Sequence, residues 1–568
     1  MKLVTIGALY LSSIEAAITK RPQPVEPRGL NLTVDLGYGV YKGFRNSTTD
    51  LNIWRGIRYA EPPTGENRWV APKAPKTNRT VIEATAFGPA CPQSLPAVPN
   101  APFIPGNEDC LFLNVYAPST TSTTKKLPVL VWIHGGGYGL GDGTQDMTEI
   151  IAANNNGFIA VAIQYRLGAF GFLSSAAVKA SGVVNAGLLD MAFALEFVEK
   201  NIGSFGGDKS KVTISGESAG GGAVMLLGIA KAGTLGTSLF RNGIASSPYL
   251  PPQYNFDGAF PTQRYQDFAS QAGCDGNDTL TCLRAKDSTT LQQASASVTA
   301  AGTYATWAFL PVTDFDFITE TPSRALAAKK VNGLNMLVSN NANEGPLFVP
   351  PTINTEDDLK VWLKLILPAL GSAEIMQVLD SYPINASIDQ NLRFATNGVS
   401  LPTALDVSQV ATGQQQRANN IYAEATFVCP SYWINDAYSS PAYASYHYQY
   451  SNPFASHGED VPALFGPAQL NQPPTFTSKL RQIWGEFVKY DISSTVQTKW
   501  ARGKGARMVN LNITGGTPYQ AVTQFGTVTQ FQNPGIQNAF PLVDAYSWEG
   551  GRGKRCEFWR GIADKVPN

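Results

Sequence analysis

The chain has 568 residues, 43% of them hydrophobic and 15% charged, which excludes a disordered or collagen-like polymer and leaves material for a large buried core. Lys plus Arg (43) equals Asp plus Glu (43), so the chain lacks the basic field that nucleic acid or an anionic membrane surface requires, and neutral or small partners are expected.

In chain order, the first feature is Lys2 followed by an apolar run from Leu3 to Leu11 and then small residues up to Ala17. That layout predicts a secretory signal peptide, with Lys20-Arg21 as a trimming site. Residues 1–21 are therefore expected to be processed away, leaving 22–568 as a single domain. No later stretch reaches the roughly 18 uninterrupted apolar residues of a membrane span, so no stable membrane anchoring is expected. Six Asn-x-Ser/Thr sequons begin at Asn31, Asn46, Asn78, Asn277, Asn385 and Asn512. With the signal-like start they favour an oxidising, glycosylating route and a secreted product. On that route Cys91, Cys110, Cys274, Cys282, Cys429 and Cys556 can form disulfides, in pairings that parity alone leaves open.

Apolar, β-rich runs recur at Val129–Ile133, Phe158–Ile163, Val212–Ile214, Met336–Ser339 and Tyr443–Tyr450. Between them lie stretches with apolar residues at helical spacing, among them one starting at Asp190 and another at Ala219–Ala230. Alternating strands and helices predict an α/β fold with a large, mostly parallel sheet and a ligand site beyond its carboxyl ends. Ser119–Lys126 and Gly503–Asn538 are rich in polar and turn residues and are expected to be surface loops.

Gly216-Glu217-Ser218-Ala219-Gly220 matches the G-x-S-x-G pattern, with a strand-like Lys211–Ser215 before it and a small apolar helix after it. This is the context of a nucleophile elbow, in which Ser218 stands at a helix N-terminus. Another strand ends in His134-Gly135-Gly136-Gly137-Tyr138. Glycines in series let main-chain N–H groups approach a ligand, so Gly136, Gly137 and Ala219 are the expected oxyanion donors. A phosphate loop is disfavoured because the following Lys-Ser/Thr is missing. Of only three histidines, His134 is expected to orient the glycine loop and His447, in an aromatic strand, to fill core. His457, in a polar loop after that strand, is left as the base. Glu344 completes the chain order Ser, Glu, His, with Glu459, Asp460, Asp314 and Asp316 as competing acids. Nothing resembles a metal-ligand cluster, and no cofactor is expected.

Together these blocks resemble the type-B carboxylesterase and lipase family, the cholinesterase-like branch of the α/β-hydrolases, with the cast of a fungal secreted esterase. The resemblance rests on Phe44-Arg-Asn46, Trp54–Pro63, Glu108–Val115, His134–Gly137, Tyr165–Phe172, Asn201–Asp208 and Gly216–Gly221, all in order. It implies a Ser218, Glu344, His457 triad, an oxyanion hole from Gly136, Gly137 and Ala219, and disulfides Cys91–Cys110, Cys274–Cys282 and Cys429–Cys556. It also implies hydrolysis of small-molecule carboxylic esters through an acyl-enzyme, by a monomer or weak homo-oligomer. Tyr138, Glu217, Leu347 and Phe348 are guessed to line the substrate pocket from their nearness to the motifs. Two departures bear on substrate. The segment Pro92–Asp109 contains no tryptophan to stack on a choline cation, only Phe103. It is also short and polar, unlike the amphipathic lid of related lipases, so dissolved short-to-medium-chain esters are expected. Alternatives are a triacylglycerol lipase, a sterol or aromatic-acid esterase, or a catalytically inactive binding module.

Overall fold

The computed structural model describes residues 31–566 apart from 123, 277, 385–386, 389–397, 399–402 and 406. The signal-like segment 1–21 and the sequons at Asn277 and Asn385 lie outside the described residues.

Twelve strands form one sheet: β1 (Phe44–Asn46), β2 (Leu51–Arg58), β3 (Phe112–Pro118), β4 (Leu127–Ile133), β5 (Ile159–Ile163), β6 (Gly207–Glu217), β7 (Asn242–Ser246), β8 (Asn335–Asn341), β9 (Ala444–Tyr450), β10 (Arg507–Thr514), β11 (Gln537–Ala539) and β12 (Leu542–Asp544). Their spatial order is β11-β10-β9-β8-β7-β6-β4-β5-β3-β2-β1, with β12 also on β10. From β5 through β10 every neighbouring pair is parallel, while the edges are antiparallel.

Period-two alternation explains why both faces are apolar. In β4, Val129, Val131 and Ile133 enter one core, whereas Leu130 and Trp132 enter the other. The first core is covered by α1 (Ala186–Asn201) and α2 (Ala219–Ile229), the second by α3 (Pro474–Tyr490). Along α3, Leu480, Ile483, Trp484 and Phe487 repeat at helical spacing and are fully or almost fully buried. Each such side chain contributes about 1.5–3 kcal/mol on burial. Every residue of α2 is buried, which its small, apolar sequence Ala-Gly-Gly-Gly-Ala-Val-Met-Leu-Leu-Gly-Ile permits.

One expectation fails clearly. Gly503–Asn538 is not surface loop: it contains β10, a hairpin of Thr517–Thr523 with Gly526–Gln532, and most of β11. Met508, Val509, Leu511 and Ile513 bury in β10, and the intervening asparagines are satisfied there, Asn510 by the Ser451 hydroxyl and Asn512 by the amide of Ile513. Composition hid this strand because its polar residues are hydrogen-bonded rather than solvated. The same burial corrects the Asn512 sequon: at 4% exposure its side chain cannot carry a glycan in the folded protein. Asn31 and Asn78 are exposed and Asn46 half-buried, so these three remain open to modification.

The disulfides are Cys91–Cys110, Cys274–Cys282 and Cys429–Cys556, the pairing the resemblance implied. The last closes a separation of 127 residues and ties the helix Cys429–Ala437 to the C-terminal helix Trp548–Gly561.

Candidate active site

The expected residues converge beyond the carboxyl ends of four parallel strands, where backbone amides and loop side chains are free of the ladder. β6 ends at Glu217 and α2 begins at Ala219, leaving Ser218 at the turn with φ +58° and ψ −124°. That conformation is disfavoured for a residue with a side chain and is held by the surroundings. The Ser218 amide donates to Ser246 O, and its carbonyl accepts from Gly222 N and Tyr249 N. Glycines are required on both sides: a Cβ at Gly216 would lie 2.3 Å from Gly220 C, and one at Gly220 would lie 2.1 Å from Ile133 O.

β4 runs into the glycine loop, which lies directly against the serine; a Cβ at Gly135 would sit 3.0 Å from Ser218 Cβ. His134 anchors this loop. Its ring stacks on Tyr165 at 4.4 Å, the Tyr165 hydroxyl donates to His134 O, and His134 Nδ1 lies 2.9 Å from Gly135 O. Burial lowers this imidazole to about 4, so it is neutral at ordinary pH and can donate from Nδ1.

β8 ends at Asn341, and the tight turn after it aims Glu344 back beneath the loop that follows β9. Glu344 is fully buried. One oxygen accepts from the Ser247 hydroxyl at 2.7 Å and the Asn341 amide at 2.6 Å; the other lies 2.5 Å from His457 Nδ1. His457 Nε2 lies 3.3 Å from Glu217 Oε1, and the ring is packed by Phe427 at 4.4 Å and Phe348 at 5.0 Å. Burial works against the imidazolium, but the carboxylates of Glu217 and Glu344 outweigh it and raise His457 to about 9. Burial in turn raises Glu217 to about 8. A proton shared between Glu217 and His457 is thus held more tightly than on a free histidine.

The competing assignments go elsewhere. His447 is enclosed by Asn435, Asn340, Tyr432 and Trp500, and burial lowers it to about 3. Asp314 accepts from Asn185 and from the Ile318 amide, Asp316 pairs with Lys231, and Glu459 accepts from Ser456.

A cavity of about 480 Å³ is walled by Tyr249, Trp307, Tyr422, Leu310, Leu367 and Ile421 among others. Trp307 lies over the glycine loop, where a Cβ at Gly137 would meet its ring at 2.3 Å. Phe348 stacks between Tyr249 and Tyr422 and touches His457, so it joins the cavity wall to the histidine. The other pocket guesses fare less well. Tyr138 is buried behind Tyr249 and does not line this cavity, Leu347 packs half-buried against the core, and Glu217 faces His457 and a separate polar cavity behind Gly135 and Gly136.

A sequence model described as the carboxylesterase family matches residues 31–525. The chain belongs to the carboxylesterase family. This carboxylesterase is 30% identical over 447 residues to secreted lipase 4 of Gibberella zeae, covering 76% of this chain and 77% of that one. It is 34% identical to the para-nitrobenzyl esterase of Bacillus subtilis, over 63% of this chain and 72% of that one. Among solved structures, that of Aspergillus niger EstA aligns with TM-score 0.75 and 26% identity, covering 95% of this chain and 99% of that one, which establishes the α/β-hydrolase fold. The enzyme is a carboxylic ester hydrolase, and its three disulfides together with its secreted relatives fit an extracellular protein.

Two residues at the site of this carboxylesterase escaped sequence reasoning. Ser247 orients Glu344 and follows β7, a strand that carries no motif. Trp307 comes from an irregular segment far from every motif, whereas Asp460, weighed as an alternative acid, is fully buried and accepts from Ser246 at 2.7 Å. Only the positive φ of Ser247 marks its place as special, and that is invisible in sequence.

Proposed function

We propose that Ser218 is the nucleophile, His457 the general base and acid, and Glu344 the carboxylate that fixes the imidazole. Substrate seats the Ser218 hydroxyl against His457 Nε2, which in the substrate-free state faces Glu217. Ser218 Oγ attacks the ester carbonyl as its proton passes to Nε2. The amides of Gly136, Gly137 and Ala219 hold the resulting oxyanion, a contribution of about 3 kcal/mol per donor. The tetrahedral adduct collapses, the C–O bond to the alcohol breaks, and Nε2 gives its proton to the leaving alkoxide. Water then attacks the acyl-enzyme while Nε2 takes its proton, the acyl C–O bond to Ser218 breaks, and that proton returns to Oγ as the acid departs.

The observation that carries this reading is the 2.5 Å contact of Glu344 with His457 Nδ1, at a histidine whose Nε2 lies 3.3 Å from Glu217, the chain neighbour of Ser218. It leaves Nε2 as the atom that faces the chemistry. The size of the aromatic cavity supports short-to-medium acyl groups. The measurement is hydrolysis of dissolved p-nitrophenyl esters from acetate to palmitate, beside Ser218→Ala. Expected are a maximum at short-to-medium chains and loss of activity by about 10⁴-fold or more in the variant. Equal rates in both proteins would overturn the assignment.

A triacylglycerol lipase is the second reading, favoured by apolar side chains exposed around the cavity. Val361 and Leu365 on the helix Glu356–Ile366 are 63% and 60% exposed, and Leu365 also lines the cavity with the exposed Phe260. Phe103 and Ile104, at 41% and 42%, add an apolar pair to a segment expected to be polar. Faster turnover of emulsified than of dissolved tributyrin would select this reading.

A further inference from the structure

The aromatic cavity, read above as the acyl site, has one feature that binding a plain hydrocarbon chain does not use. Its wall is mostly aromatic, aliphatic and small residues with Thr303, Thr306 and Thr426 among them, and Arg264 is the one charged residue in it. No carboxylate lines the cavity among the described residues; the counter-charge of Arg264, Asp267, lies outside its wall. Arg264 rises from the helix Ala259–Gln271 and is held from outside the cavity. Nη2 lies 2.9 Å from Asp267 Oδ2, and the guanidinium rests over the Phe260 ring, 5.4 Å from its centroid. Asp267 also accepts from Gln263 at 2.9 Å, and Arg264 Nε has no protein partner. Arg264 also borders a small recess beside the cavity, shared with Tyr254, Phe260 and Leu310.

A fixed, partly buried guanidinium at the edge of an apolar cavity is suited to bind a carboxylate or another anionic oxygen. An uncharged fatty acyl chain would gain nothing from it. An acyl chain ending in a carboxylate would be rejected by the apolar wall alone, since burying an unpaired charge is costly. With Arg264 present, the same chain finds a counter-ion at its far end. We propose that Arg264 forms an anion-accepting subsite in the acyl cavity, and that the enzyme takes esters whose acyl group carries a terminal carboxylate, the half-esters of dicarboxylic acids, alongside neutral esters. The inference rests on the reading of Ser218, Glu344 and His457 as the reacting groups.

The test compares kcat/KM for mono-p-nitrophenyl glutarate, adipate and suberate with the neutral p-nitrophenyl esters of the same chain lengths, at low and high salt. The wild-type enzyme is expected to hydrolyse at least one half-ester at a rate comparable to its neutral counterpart, with the preference weakening as salt screens the attraction. Arg264→Met is expected to lower the half-ester to neutral-ester ratio by about ten- to a hundredfold, the neutral esters serving as the internal reference for any change in the cavity itself. Asp267→Asn leaves the helix uncut, frees the guanidinium from its partner, and is expected to raise the same ratio. It serves as an independent check should Arg264→Met fold poorly. A ratio that neither variant changes, or a wild-type enzyme that discriminates against every half-ester as strongly as Arg264→Met does, would overturn the subsite while leaving the triad intact. Failure to hydrolyse the neutral esters as well would overturn the triad reading, and the subsite with it.

Discussion

His447 and His457 belong to one strand and the loop that leaves it, and both side chains are buried, yet the protein drives them in opposite directions. His447 is set among the amides of Asn435 and Asn340 and two aromatic rings, and burial lowers it to about 3. Around His457 burial acts in the same sense, but Glu217 and Glu344 reverse it and raise the ring to about 9. Burial therefore does not make a histidine reactive or inert; the charge of its immediate partners decides. The amide-lined slot holds a neutral ring as packing, and the carboxylate-lined loop stores a proton beside a serine.

The sharpest way to break the comparison is to delete each ring in turn. His457→Ala is expected to lower kcat by about 10⁴-fold or more. His447→Gln is expected to keep most of the activity, since it touches neither the serine nor Glu344. Comparable losses of kcat in two folded variants would sink the division of roles.

A smaller effect separates the regions by stability. The Cys429–Cys556 disulfide heads the helix that carries Asn435, and so braces the His447 slot rather than the His457 loop. Replacing both cysteines by serine is expected to cost about 4–5 kcal/mol in the chain-entropy account, read as a lower thermal midpoint, with kcat at 25 °C little changed. A loss of activity without a loss of thermal stability would contradict this.

The finest distinction is by pH. The base must be neutral to accept the serine proton, so activity is lost as pH falls through the raised value of His457. The acid limb of kcat/KM is accordingly expected near 9 rather than near 6.5. Glu217→Gln removes a charge that favours the imidazolium and is expected to move that limb down by about one unit or more. The two histidines also have opposite stability signs. His457, whose value is raised on folding, contributes stability that is full below about 6.5 and lost as pH rises through 9, whereas the neutral His447 favours the fold above about 6.5 and loses that favour as pH falls toward 3. An activity limb that stays put in Glu217→Gln would show that this carboxylate does not set the ring's charge.

Much of the site was legible because its chemistry requires particular residues at particular turns. Gly216 and Gly220 have no room for a Cβ, the glycine loop must lie against Ser218, and three histidines left few choices of base. Ser247 and Trp307 were not legible, because a hydroxyl and an indole acquire roles only from what folding brings beside them. Strand β10 failed for a related reason: Asn510 and Asn512 look like loop residues until their hydrogen-bond partners are in place.

The sequence by itself determined the alternation of strands and helices, the elbow, the glycine loop and the chain order of serine, acid and histidine. These are local requirements of backbone space and side-chain type, and they can be read one segment at a time. Only the tertiary structure decided which carboxylate meets His457, which histidine is silenced, and that Arg264 joins the wall of a mostly aromatic and aliphatic cavity. Charge, desolvation and shape act across distant segments of the chain, and their balance exists only once the sheet has brought those segments together.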